Sequence, residues 1–199
     1  MNSSRFVGAA LTAMLLVGTI AGAAIAAPPS TAPGHNKLVC FSDGDATCTL
    51  PSKGAKGTAI LDVNSDPGAA AVYYEGFNDS IYGVNLSEVT ELSFNFSGDE
   101  ATGGAPRLSV PIDENNDGYT EAFAFIGAAL CNNGAGLVDP MTDSTCNVNY
   151  LGVDYANWAA FVAAFPDAEV AALDNYVFVI ADEVGTWTVG NVTIGKSGK

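Results

Sequence analysis

Hydrophobic and polar residues alternate along several short segments of the chain, which is the pattern of strands with one buried face. Residues 91–96 read ELSFNF, and residues 107–112 repeat the alternation as RLSVPI. Residues 176–180, YVFVI, are continuously apolar and predict a central strand. In the last predicted strand the apolar phase changes at Gly190-Asn191, which indicates a β-bulge. Because proline cannot donate to a ladder, Pro111 predicts an edge strand or a strand end.

One helical pattern interrupts the predicted strands. Asp154 is the expected N-cap, and Pro166 ends the pattern. About eight short strands with one short inserted helix predict an all-β fold, a jelly-roll-like β-sandwich over residues 57–195. The apolar residues at helical spacing are Tyr155, Trp158, Phe161, Val162 and Phe165.

The beginning of the chain predicts export. An uncharged apolar stretch leads into the small-residue triplet 24–26, so residues 1–26 are interpreted as a signal peptide. An uncleaved membrane anchor is the alternative, and the glycines of the stretch and the following Pro28-Pro29 favour cleavage. Residues 27–56 are predicted as a flexible leader with the first disulfide loop, and 196–199 as a tail. The expected location is extracellular, without a membrane after cleavage.

Four cysteines follow the predicted signal peptide, and an even number in an oxidising compartment indicates disulfides. Three pairings are possible. Cys40–Cys48 and Cys131–Cys146 are predicted because each pair brackets a loop rich in small and polar residues. A metal site is the alternative, but the chain has no CxxC spacing and its only histidine is His35.

The charge balance excludes several classes of partner. Lys and Arg number 7 and Asp and Glu 22, a net charge of −15. Such a surface repels phosphate backbones and anionic lipid, so we expect neither nucleic-acid nor membrane binding. Between residues 57 and 195 the only basic residue is Arg107, among twenty carboxylates. The acidity also permits an alternative, an adhesive or structural surface protein of a salt-tolerant bacterium. The oligomeric state stays open.

The strongest chemical motif is DENNDGYTE at residues 113–121. Its oxygen-bearing residues follow the D-x-N-x-D-G spacing of a calcium loop, in which several oxygens surround a hard cation at about 2.3–2.6 Å. An EF-hand requires a glutamate at position 12, where this chain has Ala124, and the flanks are strand-like. The motif is therefore interpreted as a calcium loop at a hairpin tip. The predicted ligands are Asp113, Asn115, Asp117, the carbonyl of Tyr119, and Glu121.

A polar hairpin without metal is the alternative, because Asp117-Gly118 is itself a tight-turn sequence. A second candidate site is a group of aromatic residues near Asn78 and Asp79. Aromatic faces beside amides and carboxylates suit sugar rings, although aromatic residues in strands more often pack in a core. The group is Tyr73, Tyr74, Phe77 and Tyr82.

Catalysis has little support in the sequence. A Ser-His-Asp or Cys-His site and a histidine-bound zinc both need a histidine, and His35 lies in the predicted leader. A glycosidase needs only two carboxylates, but nothing selects two among twenty. A glycan- or ester-cleaving enzyme is therefore the less favoured alternative, and no catalytic residue is assigned.

Residues 176–194, YVFVIADEVGTWTVGNVTI, resemble the closing strands of secreted bacterial jelly-roll domains. Those domains are similar to carbohydrate-binding modules and galactose-binding-like domains, where a paired strand ends in a motif similar to D-x-V-x-I. Gly190-Asn191 replaces the usual acidic residue here, and no ligand residue is carried over. The resemblance implies a jelly-roll sandwich with a structural calcium ion and a glycan as partner. The expected function is a secreted, non-catalytic, calcium-holding binding domain.

Overall fold

The structure of the chain is a computed structural model. The predicted signal peptide, residues 27–36 and 52–56 of the predicted leader, Phe77, and residues 197–199 of the predicted tail lie outside the residues that the structure describes. The described ranges are 37–51, 57–75, 81–101, 104–131 and 136–196.

Eleven strands and one α-helix form the described part of the chain. Two short 3₁₀ turns, Leu86–Glu88 and Ala128–Leu130, lie between them. The elements are β1 (Lys37–Thr49), β2 (Thr58–Glu75), β3 (Val89–Gly98), β4 (Arg107–Asp113), β5 (Ala122–Gly127), β6 (Leu137–Val138), β7 (Val148–Tyr150), β8 (Val153–Tyr155), α1 (Trp158–Ala164), β9 (Glu169–Val170), β10 (Phe178–Ala181) and β11 (Gly185–Lys196).

All strand pairs are antiparallel and belong to one sheet, in the order β6-β3-β11-β2-β10-β4-β5-β7-β8, with β1 on β2 and β9 on β4. The long strand β2 joins two parts of this sheet. Its first part, 58–63, pairs with β11, and its second part, 70–73, pairs with β10. The β1–β2 register shifts at the boundary, between Gly44 and Ala46.

The disulfide Cys40–Cys48 shows that the β1–β2 ribbon turns back on itself. Both cysteines lie in β1, and their Cα atoms are 5.4 Å apart. A straight strand would separate them by about 26 Å, at roughly 3.3 Å per residue. The register shift is therefore a corner, and the two parts of the sheet face each other as in a sandwich whose strands pass from one layer to the other.

One hydrophobic core fills the space between the two parts. Leu61, Phe94 and Trp187 come from one part, and Leu108 and Val179 from the other; all are fully buried and belong to one cluster. Burying large side chains of this kind is the main stabilising contribution, at about 1.5–3 kcal/mol for each. The predicted all-β, sandwich-like fold with a single helix is confirmed.

The N-terminal boundary of the folded body differs from the prediction. The sequence predicts a flexible leader up to residue 56, but residues 37–49 form β1 and pair along β2. Leu38, Cys40 and Cys48 pack against the core. The abundance of Gly, Asp and Thr in this segment obscured these apolar contacts. At the other end Lys196 still belongs to β11, one residue beyond the predicted body.

The helix begins later than predicted. Residues 153–155, which include the expected N-cap Asp154, form β8, and the N-cap is Asn157, whose side chain accepts a hydrogen bond from the amide of Ala160 at 2.9 Å. Tyr155 and Trp158 both contact Phe161, so one aromatic cluster is shared between strand and helix. Tyr155 contacts this cluster from a strand. Its sequence spacing from the helix residues therefore led to the wrong prediction of a helical position.

Three further expectations have clear outcomes. Both predicted disulfides form, Cys40–Cys48 and Cys131–Cys146. The β-bulge is confirmed, because the β11–β3 register shifts between Gly190 and Thr193. Pro111 does not mark an edge, because β4 has neighbours on both sides. The carbonyl of Pro111 accepts a hydrogen bond from the amide of Ala171, and the nitrogen of Pro111 points to the same side. The pairing with β10 does not extend to this position, so the missing N–H of proline costs no hydrogen bond to β10.

Candidate metal centre in the β4–β5 loop

The predicted calcium motif connects β4 to β5, and residues 113–121 are called the β4–β5 loop below. Asp113 is the last residue of β4, and Glu121 directly precedes β5. The amide of Glu121 donates to the carbonyl of Ile112 at 2.9 Å, so the ladder continues to the base of the loop. The first and last residues of the motif are therefore brought together by strand pairing.

Asp113 organises the interior of the loop. Its side chain is 1% exposed, and it accepts three backbone hydrogen bonds. One carboxylate oxygen accepts the amides of Asn116 at 2.7 Å and Asp117 at 3.2 Å, and the other accepts that of Gly118 at 2.6 Å. Charge-assisted bonds of this kind hold the carboxylate in one orientation.

Two further side chains repeat this arrangement along the loop. Asn115 accepts the amide of Asp117 at 3.0 Å, and Asp117 accepts the amide of Tyr119 at 2.9 Å. The backbone takes left-handed angles at Asn116, with φ of 61°, and at Gly118, with φ of 91°. These turns wind the backbone around its own side-chain oxygens.

Glu121 closes the loop, and Glu114 attaches it to the core. One Glu121 oxygen accepts the backbone amide of Glu114 at 2.6 Å, and the other accepts the side-chain amide of Asn115. The buried hydroxyl of Tyr150 donates to the Glu114 carboxylate at 2.6 Å. Burial, together with this hydrogen bond, raises the pKa of Tyr150 well above its ordinary value.

The segment before β10 holds the loop from the outside. The amides of Ala172 and Leu173 both donate to the carbonyl of Gly118 at 2.9 Å. Asp174 accepts the hydroxyl of Thr120 at 2.6 Å and its amide at 3.1 Å. The sequence carries no signal for this contact, because Asp174 is more than fifty residues away and lies in no motif.

Three of the five predicted ligands come together in a way that could hold a metal ion. Asp113, Asp117 and Glu121 offer oxygens that all lie within 4.8 Å of one another. Of the other two predicted ligands, Asn115 donates a hydrogen bond from its side-chain amide to Glu121. Tyr119, whose carbonyl is the predicted ligand, is 56% exposed. In the described part of the chain no basic side chain pairs with these carboxylates. The loop therefore concentrates negative charge that no basic side chain of the described residues neutralises.

The predicted aromatic platform is only partly assembled. Tyr73 stacks on Tyr176 at a centroid distance of 4.7 Å, and Tyr82 meets Tyr176 edge-on at 6.2 Å. The Tyr82 hydroxyl accepts the amide of Val177, and burial raises the pKa of Tyr82 above its usual range. Tyr74 is placed only by its backbone, opposite Leu38. Tyr82 is thus tied into packing, and sugar binding by this group stays a prediction.

The chain matches no protein-family model, no curated protein and no solved structure. Among the residues that the structure describes, no helix has the length and apolar character needed to cross a membrane. The resemblance to carbohydrate-binding jelly-roll domains stays a prediction.

Proposed function

We propose that this protein is an exported, non-catalytic binding domain whose β4–β5 loop holds a structural calcium ion. The observation that carries the proposal is the convergence of Asp113, Asp117 and Glu121 within 4.8 Å, with no basic partner among the residues that the structure describes. Carboxylates placed this close repel one another, and a bound dication turns the repulsion into attraction. The hydrogen bonds from the loop amides orient the carboxylates before an ion arrives.

The donor set favours calcium over other common metal ions. All candidate ligands are oxygens, whereas zinc and copper sites use histidine or cysteine. Asp117 and Glu121 are exposed, so water can complete the coordination shell. Calcium accepts six to eight oxygens in flexible geometry, while magnesium demands a nearly regular octahedron. A loop of mixed carboxylate, amide and carbonyl oxygens suits the larger ion.

Export is supported by the cysteines and by the apolar N-terminal stretch. All four cysteines are paired, which is typical of proteins that fold in an oxidising compartment. Extracellular calcium reaches concentrations at which a weak structural site is filled, and modules with dissociation constants as high as about 0.1–1 mM are known there. The proposed compartment and the proposed ion therefore support each other.

Isothermal calorimetry with calcium tests the proposal. We expect saturable binding of one ion by the wild type and at least a tenfold weaker affinity in Asp117→Asn, which keeps the shape of the side chain and removes its charge. Asp154→Asn is the matched control, because Asp154 is an aspartate outside the loop that also accepts a hydrogen bond, in its case from the side-chain amide of Asn149. Absence of binding by the wild type, or equal affinities in the two variants, would reject the site.

The strongly acidic composition favours a second candidate function, a structural or adhesive surface protein adapted to high salt. Mutual repulsion of carboxylates destabilises the folded state in dilute solution and is screened by monovalent salt. This candidate predicts a steep rise in melting temperature from dilute to molar sodium chloride. The calcium proposal predicts a rise with calcium at constant ionic strength, so the two titrations separate the candidates.

A further inference from the structure

One face of the sheet points away from the core and is aromatic. In β4 the core side carries Leu108 and Val110, so Arg107 and Ser109 alternate onto the opposite side. Cross-strand pairing extends this side over neighbouring strands, with Ser109 opposite Phe178 on one flank and Phe125 on the other. The residues called the outer face below are Tyr73, Arg107, Ser109, Phe123, Phe125 and Phe178.

The aromatic rings of the outer face touch one another and are only partly covered. Phe123 contacts Phe178 at 5.3 Å between ring centroids and Phe125 at 6.3 Å. All three side chains are half-buried, in contrast to the fully buried aromatic residues of the core. A contiguous apolar surface on a protein with net charge −15 is unusual, because a solvated sheet face normally carries polar residues.

The outer face also carries an ion pair that cancels its own charge. Both terminal nitrogens of Arg107 donate to the carboxylate of Asp182, and the guanidinium lies 4.7 Å from the ring centre of Phe125. The two charged side chains are 18% and 32% exposed. Because the arginine is already neutralised, the outer face offers no free cation to an anionic polymer, and the acidic surroundings repel one.

Two buried polar atoms on the outer face lack partners. Within the described residues, the buried side-chain polar atoms without a hydrogen bond are the Arg107 Nε and the Ser109 Oγ. Ser109 is fully buried beside the half-buried rings of Phe125 and Phe178. A buried hydroxyl without a partner costs about 1–3 kcal/mol, so such groups indicate where another molecule completes the hydrogen bonding.

We infer that the outer face binds a neutral glycan. A sugar ring has an apolar C–H side that packs on Phe123, Phe125 and Phe178, and hydroxyls at its edge that can pair with Ser109 and with the Arg107–Asp182 pair. Phe125 and Phe178 flank Ser109, so a rotamer change of either side chain would give a ligand hydroxyl access to it. A second copy of the chain is disfavoured as the occupant, because it would bring another net charge of −15.

This inference rests on the proposed function in one respect, since it names the partner of the exported binding domain. The site differs from the predicted platform. It shares Tyr73 with that group, but its other rings come from β5 and β10, which sequence spacing could not bring together. The calcium loop takes no part in it, so the two claims can fail separately.

Affinity electrophoresis through native gels tests the inference. The gels contain dextran, soluble starch, mixed-linkage β-glucan, galactomannan or xylan, and carboxymethyl cellulose serves as the anionic control. We expect retardation by at least one neutral polysaccharide and none by carboxymethyl cellulose. Repeating the gels with a chelator should leave the retardation unchanged, because the calcium loop takes no part in the site. If calorimetry detects no calcium but a neutral glycan retards the protein, only the calcium proposal fails.

Two variants locate the binding surface. Phe178→Ala should weaken binding between about twofold and tenfold by removing one stacking ring. Ser109→Ala should also weaken binding while leaving the melting temperature equal or higher, because it removes an unpaired buried hydroxyl. A purely structural serine would not produce that combination. Leu151→Ala, at an exposed apolar position between β7 and β8, is the control and should bind like the wild type.

Three results would overturn the inference. The first is no retardation by any neutral polysaccharide, and the second is wild-type retardation of both Ser109→Ala and Phe178→Ala. The third is a concentration-dependent dimer in sedimentation experiments that Phe178→Ala abolishes, which would assign the outer face to a second copy of the chain.

Discussion

The β4–β5 loop carries four carboxylates that all accept hydrogen bonds. The outer face carries a neutralised ion pair, and within the described residues the Nε of its arginine and the neighbouring serine hydroxyl lack a hydrogen-bond partner. The carboxylates of the loop therefore have hydrogen-bond donors, but no positive charge among the described residues balances them. The outer face has balanced charges, but two of its buried polar atoms have no hydrogen-bond partner among the described residues. Both regions include β4, one at its end and the other along its outward side.

This difference indicates the kind of ligand that each region lacks. A bound cation neutralises a cluster of oriented carboxylates, and oxygen ligands favour a hard cation such as calcium. A neutral molecule with hydroxyl groups and an apolar side can form hydrogen bonds with the unpaired groups and pack on the aromatic rings around them. Four predictions follow, from the largest expected effect to the smallest.

Asp113→Ala should be the most damaging change in the loop. It leaves the backbone amides of Asn116 and Gly118 without their acceptor, whereas the amide of Asp117 still donates to Asn115. We expect a loss of about 3 kcal/mol in the free energy of unfolding, read from urea denaturation with chelator present. Asp117→Ala removes the acceptor of one amide and should cost about 1 kcal/mol. Equal stabilities of the two variants would show that the loop does not depend on Asp113 for its hydrogen bonding.

Asp182→Asn tests whether the charge of the outer face is balanced. The substitution leaves the Arg107 guanidinium without its anion, and we expect a destabilisation of about 1–2 kcal/mol for this partly exposed pair. Removing a carboxylate elsewhere on so acidic a protein should relieve repulsion between like charges. Asp154→Asn is therefore the control, and it should leave the free energy of unfolding unchanged or raise it. A stabilised Asp182→Asn would contradict the balanced pair.

Gly118→Ala measures how tightly the loop is held from the outside. Gly118 has φ of 91°, and an added Cβ would lie 2.7 Å from the Cδ1 of Leu173. Gly152→Ala is the matched control, with φ of 78° and no atom within 4 Å. Both should lose about 1–2 kcal/mol from backbone strain. Gly118→Ala should lose more, and Leu173→Ala should restore that excess in thermal melts; no excess would mean that the contact yields freely.

Tyr150→Phe should change the alkaline limb of the stability profile. The folded state raises the pKa of Tyr150, so the folded protein keeps a proton that the unfolded chain loses above about pH 10. Stability is therefore full below about pH 10 and falls as the pH rises beyond it. Without this hydroxyl the decline should be shallower, as measured by urea midpoints across alkaline pH. An identical decline in the variant would assign the effect to other groups.

Local signals in the sequence predicted much of the fold. Alternation around Phe94, the apolar run before Asp182 and the phase change at Asn191 all correspond to observed strands or to the bulge. Both disulfides were predicted from their local spacing. These features are determined by neighbours in sequence, and each had a distinct residue pattern.

The remaining features depend on contacts between distant segments. The corner in β1 requires pairing with residues 61–72, and Asp174 reaches Thr120 across fifty-four residues. The outer face exists only because the strand register places Phe178 and Phe125 on either side of Ser109. Residue spacing contains no information about which strands become neighbours, so the loop was found in outline and the outer face was not.

The claim on which the account depends most is that a dication fills the β4–β5 loop, and thermal denaturation of the wild type tests it most directly. The melting temperature is compared in chelator and in calcium at constant ionic strength. With calcium at about a hundred times its dissociation constant, linkage predicts a gain of about 2.7 kcal/mol, or roughly 5–10 °C. The same melting temperature in both conditions would contradict the account.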